Sequence, residues 1–245
     1  MFAVPARRVP RPLLVKDTLA RLLRDNRALG LTTTAIADLV KSADLDAYRP
    51  GQVLFTAADE SDVLSFQVVG ATRVTYQGHG DRAVTVLFVK PGHFIATGWL
   101  VQGRPRHRAF GAEAHVDSWV AKWSAGIIKE VIATLPAGAQ FDVMAYAWRS
   151  YSRFLEDKCL ILTMTIPQRL RHVLDVLARD FGSPDARGVV IDLPLTAEDL
   201  AQLVVASEKR VSRCLATLQR AGYIERVDGR RWRHCALPRR PAAAG

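Results

Sequence analysis

No glycine occurs between Gly138 and Gly182, and over the first half of that span Phe141, Ala145, Trp148, Ser152, Leu155, Cys159 and Leu162 advance in alternating steps of four and three. A helix of that length with an apolar seam repeating every 3.5 residues keeps one face turned to a partner. The partner is either a second copy, for which Phe141, Trp148, Leu155, Cys159 and Leu162 form the interface, or the chain's own globular part. The seam ends at Thr165-Ile-Pro167-Gln168, where Thr165 serves as N-cap, Pro167 sits in the first turn and Gln168 can reach back as in a capping box. The next helix carries Leu170, Val173, Leu174, Leu177 and Phe181 on one face and stops at Gly182-Ser-Pro.

Ahead of the seam the pattern is different. Helical spacing is confined to Val15, Leu19, Leu22 and Leu23 and to a short stretch over Thr34–Lys41. From Tyr48 to about Trp123 the apolar residues fall in short runs at Val53–Phe55, Leu64–Val69, Thr72–Tyr76, Val84–Val89 and Ser118–Trp123, punctuated by Pro50-Gly51, Gly70, Gly78-His-Gly80 and Pro91-Gly92. Several short strands divided by turns predict an antiparallel barrel, roll or sandwich. Residues 3–12 and 238–245 hold prolines and arginines without periodicity and read as disordered tails.

The net charge of +10 is unevenly placed. Residues 1–28 hold seven Lys/Arg against two Asp/Glu, residues 29–164 hold thirteen against thirteen, and residues 165–245 hold fourteen against nine. A neutral centre and a basic C-terminal third point to a polyanion for the latter. The longest apolar runs are a few residues, far short of the roughly 20 needed to cross a bilayer. Leu13-Leu14-Val15 is cut short by Lys16 and Asp17, so no secretory apolar region of about 7 to 15 residues follows Arg7-Arg8. Cys159, Cys214 and Cys235 show no C-x-x-C spacing, which argues against a disulfide framework, a structural zinc site or an iron–sulfur cluster. The expectation is a cytoplasmic protein without membrane association.

Residues 196–220 narrow the function. Thr196 with Asp199 starts a helix that turns Leu200 and Leu203 inward, and Ala201 is small where a second helix must cross closely. Ser207 caps that second helix, whose inward face is Val211, Cys214, Leu215 and Leu218. Two helices joined by so short a turn form a helix-turn-helix. Glu208, Lys209, Ser212 and Arg213 then lie on the outward face near the N-terminus, the part that enters a major groove. Val205 in the turn is β-branched where positive φ is common, which predicts local strain. Downstream, Tyr223–Val227 and Arg230–Leu237 flank Asp228-Gly229 as a hairpin, a wing whose Arg230, Arg231 and Arg233 suit phosphate contact.

A glycine-punctuated β-roll, a long seam helix and the segment Leu-Thr-x-Glu-Asp-Leu-Ala…Ser-x-x-x-Val-Ser-Arg…Leu…Gly-Tyr-Ile-Glu-Arg together resemble the family of cyclic-AMP receptor and fumarate–nitrate reduction regulators, over roughly residues 30–237 and most specifically over 194–229. The resemblance implies an α+β chain with an N-terminal antiparallel β-roll of cyclic-nucleotide-binding type, a long dimerisation helix and a C-terminal winged helix-turn-helix. It implies a homodimeric transcription regulator that binds a palindromic operator in double-stranded DNA, works with RNA polymerase and is not an enzyme. The expected division is a basic extension over 1–28, an effector-sensing roll over 29–136, the dimerisation helix over 137–164, the DNA-binding domain over 165–237 and a tail over 238–245. The DNA-binding residues are Ser207, Glu208, Lys209, Ser212, Arg213, Arg230 and Arg231, with Arg213 at the family's base-contacting arginine. Glu208-Lys209 replaces the family's usual Arg-Glu, so a different half-site is expected.

The same resemblance locates the effector pocket at Thr97, Gly98, Trp99, Arg108 and Ala109. Cyclic-nucleotide-binding members hold the ribose with a glutamate where this chain has Gly98, and follow the phosphate-binding arginine with a hydroxyl residue where it has Ala109. Arg108 keeps the positive charge, with Arg106 and His107 nearby, so the expected effector is a smaller or more hydrophobic anion rather than cyclic AMP, or else these basic residues lie on a solvated loop and the roll holds no ligand. His79, His93, His107 and His115 are the haem candidates, but His79 and His93 sit in glycine turns, and haem is disfavoured. No metal site is expected. Gly-x-Ser-x-Gly, Walker-type and His-Glu-x-x-His patterns are absent from the sequence, which argues against catalysis. The alternative is a ligand- or haem-sensing regulatory protein that acts through protein contacts rather than DNA.

Overall fold

The computed structural model describes residues 12–56, 59, 62–78, 83–95 and 109–236. The segments read as disordered tails lie outside these residues except for Pro12, which opens the first helix. The chain divides into two compact units, one from the residues up to Val74 with Phe88–Ser152, the other from Thr75–Leu87 with the residues from Arg153 onward.

In the first unit, α1 (Pro12–Asp25) turns Val15, Leu19 and Leu23 into the core, so a segment of high positive charge is also an integral packing element. A short 3-10 turn leads to α2 (Thr33–Ser42), where the Thr32 hydroxyl accepts the Ala35 N–H at 3.2 Å. Eight strands follow along the chain, with Thr75–Leu87 assigned to the second unit: β1 (Asp44–Tyr48), β2 (Val53–Phe55), β3 (Val63–Val69), β4 (Thr72–Gln77), β5 (Ala83–Val89), β6 (Phe94–Ile95), β7 (Phe110–Ala114) and β8 (Ser118–Ser124). They form two four-stranded sheets, in the orders β1-β8-β3-β6 and β2-β7-β4-β5, an antiparallel roll.

Strand β3 is the centre of the first sheet and is buried from Leu64 to Val68 on both faces. Phe66 meets Phe94 edge-on at 4.8 Å and Trp123 at 6.5 Å. Trp123 spends its indole N–H on the Leu39 carbonyl at 2.8 Å, which ties the sheet to α2. Gly70 turns β3 into β4 at φ +86°, where a Cβ would stand 2.3 Å from the Asp117 carbonyl oxygen, so only glycine fits. After β8, the Ser124 hydroxyl accepts the Ile127 N–H and starts α3 (Ala125–Thr134), which buries Ile128 and Val131. Leu135-Pro136 breaks the chain before α4 (Ala137–Thr163).

The C-terminal part of the chain opens with α5 (Ile166–Phe181), where the Thr165 N–H donates to Gln168 Oε1 at 2.9 Å, as the capping pattern predicts. Leu170, Val173, Leu174 and Leu177 are buried. Strands β9 (Gly182–Asp185) and β10 (Gly188–Ile191) precede α6 (Ala197–Leu203) and α7 (Glu208–Arg220), and β11 (Ile224–Arg226) and β12 (Trp232–His234) complete a four-stranded sheet in the order β11-β12-β10-β9. The wing is thus one half of a larger sheet, because Gly182-Ser-Pro ends α5 and at once pairs with β10.

A candidate nucleic-acid interface

Helices α6 and α7 form the helix-turn-helix. The Thr196 N–H donates to Asp199 Oδ2 at 2.8 Å while the Asp199 N–H donates back to the Thr196 hydroxyl at 3.0 Å, a reciprocal cap that fixes where α6 begins. Leu200, Ala201, Leu203, Val211, Leu215 and Leu218 are buried between the two helices and the sheet, and Cys214 is half-buried beside them. In the turn, Val205 has φ +53°, the one non-glycine residue with positive φ among the described residues, and its side chain is 70% exposed. The left-handed backbone costs a β-branched residue about 1–2 kcal/mol. Val205→Gly removes that strain without losing packing, so thermal unfolding should rise by about 2–4 °C.

The outward side of α7 is where the sequence places it. Ser207, Glu208, Lys209, Ser212 and Arg213 are all exposed. Ser207 occupies the N-cap position, but its side chain makes no cap hydrogen bond, which corrects the capping role read from the sequence. Arg210, also exposed in the first turn of α7, belongs to the same surface and was missed. The signal was its place beside Lys209, obscured because its helical phase lies off the centre of the outward face.

The wing needs two corrections. Strand β11 ends at Arg226 and β12 resumes at Trp232, so the tip is longer than a two-residue Asp-Gly turn. It is shaped by the Asp228 carboxylate, whose Oδ1 accepts the Arg230 and Arg231 N–H groups at 3.0 and 2.8 Å. The Arg230 N–H bond is the largest favourable reason that the Asp228 carboxyl is held below its ordinary range. Arg230 is exposed, and Arg231 lies against Asp228 at 2.6 Å and Asp192 at 3.9 Å. Arg233 is not a surface arginine: it is 6% exposed and donates to Glu225 Oε2 at 2.6 Å and Asp185 Oδ2 at 2.7 Å. A buried guanidinium needs paired carboxylates, and this one locks β12 to its neighbours instead of meeting phosphate. Arg226, exposed and 4.6 Å from the Trp232 ring centre, adds a basic side chain to the wing.

A second lock stands behind the recognition helix. Asp175 Oδ1 accepts the Tyr223 hydroxyl at 2.6 Å and lies 2.6 Å from His234 Nε2, with the Tyr223 and His234 rings 4.6 Å apart. Burial first, and then the Asp175 carboxylate, push the Tyr223 phenol up to about 12 from 10.0. A raised folded pKa favours the native state below the unfolded value, and that contribution is lost as pH rises from about 10 to about 12. Alkaline unfolding should therefore steepen in that window, and Tyr223→Phe should flatten it in a pH-stepped melt.

Of the residues expected to bind an effector, Thr97, Gly98, Trp99 and Arg108 lie outside the described residues, as do Arg106, His79 and His107, and Ala109 is half-buried just before β7. His93 is exposed, and His115 Nδ1 stands 3.0 Å from Arg73 Nη2. Arg73, which sequence reading passed over, also lies 3.5 Å from Glu113 and over the Phe88 ring at 5.7 Å, so the roll holds a half-buried cation on β4. On α4, Phe141, Trp148, Leu155 and Leu162 are 73%, 64%, 49% and 71% exposed and Cys159 is exposed, while Val143 and Tyr146 pack against the core and Ala147 is buried. Among the described residues no helix is long and apolar enough to cross a membrane.

A β-roll, a long helix and a winged helix-turn-helix with a basic outward face define a DNA-binding transcription regulator. Residues 168–239 match the Crp-like helix-turn-helix domain. The chain is 26% identical over 203 residues to the CRP-like cAMP-activated global transcriptional regulator of Mycobacterium tuberculosis, covering 82% of this chain and 88% of that one. It is 22% identical over 183 residues to the global nitrogen regulator of Synechococcus elongatus, covering 74% and 81%. The structure of FixK2 from Bradyrhizobium japonicum superposes with a TM-score of 0.67 at 21% identity, over 78% of this chain and 92% of that one. Residues 168–239 thus match the helix-turn-helix domain of Crp-like regulators, and the chain as a whole is similar to the family of cyclic-AMP receptor and fumarate–nitrate reduction regulators. Its relatives are transcription regulators, not enzymes.

Proposed function

We propose that the chain acts as a cytoplasmic homodimer that binds a palindromic operator, works with RNA polymerase, and carries an effector pocket not built for cyclic AMP. The observation that carries the dimer is the apolar stripe of α4, where Phe141, Trp148, Leu155 and Leu162 face solvent although the opposite side of the same helix is packed. Large apolar side chains repeated along one helix face are a liability unless a partner covers them, and a 3.5-residue repeat suits a second copy of the same helix. Two recognition helices related by a twofold axis would enter successive major grooves.

The roll, over 29–136, is the sensing part in this reading, and the winged helix-turn-helix, over 165–237, is the DNA-binding part. In the sequence, Gly98 carries no carboxylate for a ribose, Arg108 carries a positive charge, and Phe94, Ile95 and Trp99 are apolar residues close by along the chain. A small, more hydrophobic anion is the effector class that such residues favour. Calorimetric titration of the purified protein with cyclic AMP and cyclic GMP should give no micromolar binding, and its absorption spectrum should lack a Soret band. Micromolar binding of either nucleotide, or a Soret band, would defeat the pocket reading.

A further inference from the structure

One side chain ties the end of α4 to the turn of the helix-turn-helix. Arg169, half-buried in the first turn of α5, donates from Nε to the Met164 carbonyl at 2.9 Å and from Nη1 to the Val204 carbonyl at 3.1 Å. Met164 lies in the bend between α4 and α5. Val204 is the C-cap of α6, fully buried, and is followed at once by the strained Val205. Carbonyls at a helix C-terminus have no partner within their own helix, so the guanidinium fills a vacancy at both places and holds them at a fixed separation.

We propose that Arg169 is a positioning residue for DNA reading: by bracing the bend after α4 against the turn before α7, it fixes the orientation of the recognition helix relative to the end of α4, and thereby the half-site spacing that the protein accepts. The proposal rests on the dimeric, operator-binding reading above. Arg169 acts through the Val204 carbonyl and touches no DNA. The fork geometry matters more than the charge, because a lysine ammonium is a compact point donor that cannot reproduce the two-nitrogen reach of a guanidinium.

Half-site spacing is the readout that a merely structural role would leave alone. One base pair inserted at the dyad moves the half-sites about 3.4 Å apart and turns one against the other by about 35°. Wild-type protein, assayed on the duplex it selects from a randomised pool, should lose about tenfold affinity on the same duplex with one base pair inserted, the scale of one good base contact. Arg169→Gln and the milder Arg169→Lys should both compress that ratio to about twofold, since the brace is gone in the first and halved in the second. An unchanged ratio in either variant, even with weaker binding to both duplexes, would overturn the proposal, and the lysine variant decides the matter if the glutamine variant fails to fold. A wild-type protein that selects no paired half-sites would instead remove the dimeric reading and take the proposal with it.

Discussion

Arg213→Ala is expected to lower affinity for the preferred operator by about 5- to 150-fold, the 1–3 kcal/mol carried by a bidentate arginine–guanine pair, and to leave affinity for unrelated DNA nearly unchanged. Arg213 is exposed on α7, one turn on from Lys209, and in the proposed operator-binding reading this part of the helix meets base edges. Arg230 should behave differently. It sits at the tip of the wing, so Arg230→Ala should weaken all sequences alike and reduce the slope of log affinity against log salt by about 1. Arg231 is already engaged by Asp228 and Asp192, so its replacement should combine that loss with a looser wing tip. Footprints and salt titrations on matched and mismatched duplexes separate the roles, and equal losses by Arg213→Ala and Arg230→Ala on every sequence would contradict the assignment.

Replacing Trp148 and Leu155 together with glutamate should convert the protein to monomers at micromolar concentration. Full burial of a large apolar side chain is worth about 1.5–3 kcal/mol, and a dimer would bury four of these. Discounting by half for the surface each already covers leaves roughly 3–6 kcal/mol, at least about a hundredfold in Kd. Sedimentation velocity reads the change directly, and a variant that stays dimeric would exclude the stripe as the interface. Cys159 lies on the same stripe and is exposed, whereas Cys214 and Cys235 are half-buried. Mild oxidation should therefore join wild-type chains covalently through Cys159, and Cys159→Ser should prevent it.

The elements with strong local signals were legible in the sequence. The period of α5, its Thr165 start, the Thr196–Asp199 cap and the strain at Val205 each follow from a single local rule, and the structure contains all four. Elements made by their partners were not. Strand β1 holds two aspartates in five residues, a poor strand former, yet it pairs along β8, where Lys122 meets Asp46 at 2.9 Å. Strand β9, Gly-Ser-Pro-Asp, reads as a helix stop and becomes a strand because Val189 and Val190 lie opposite it. Helix α3 follows β8 without a loop, and its Gly126 and paired isoleucines blur the helical period.

Arg233 shows the same limit in the site. Its neighbours Arg230 and Arg231 made it look like one of a basic cluster, but strand β12 is buried along its length and brings Asp185 and Glu225, 48 and 8 residues away, to the guanidinium. Nothing in the local sequence distinguishes an arginine that meets phosphate from one that pairs two carboxylates. The outward face of α7 was legible because a helix buries every third or fourth residue, and Val211, Leu215 and Leu218 fix the phase of all the others.

Selection of bound duplexes from a randomised pool tests dimerisation and sequence reading together. The expected result is enrichment of a palindrome whose half-site centres lie about 10–10.5 base pairs apart, with a guanine in each half that Arg213→Ala no longer requires. Enrichment of a single unpaired half-site, or of no sequence at all, would contradict it.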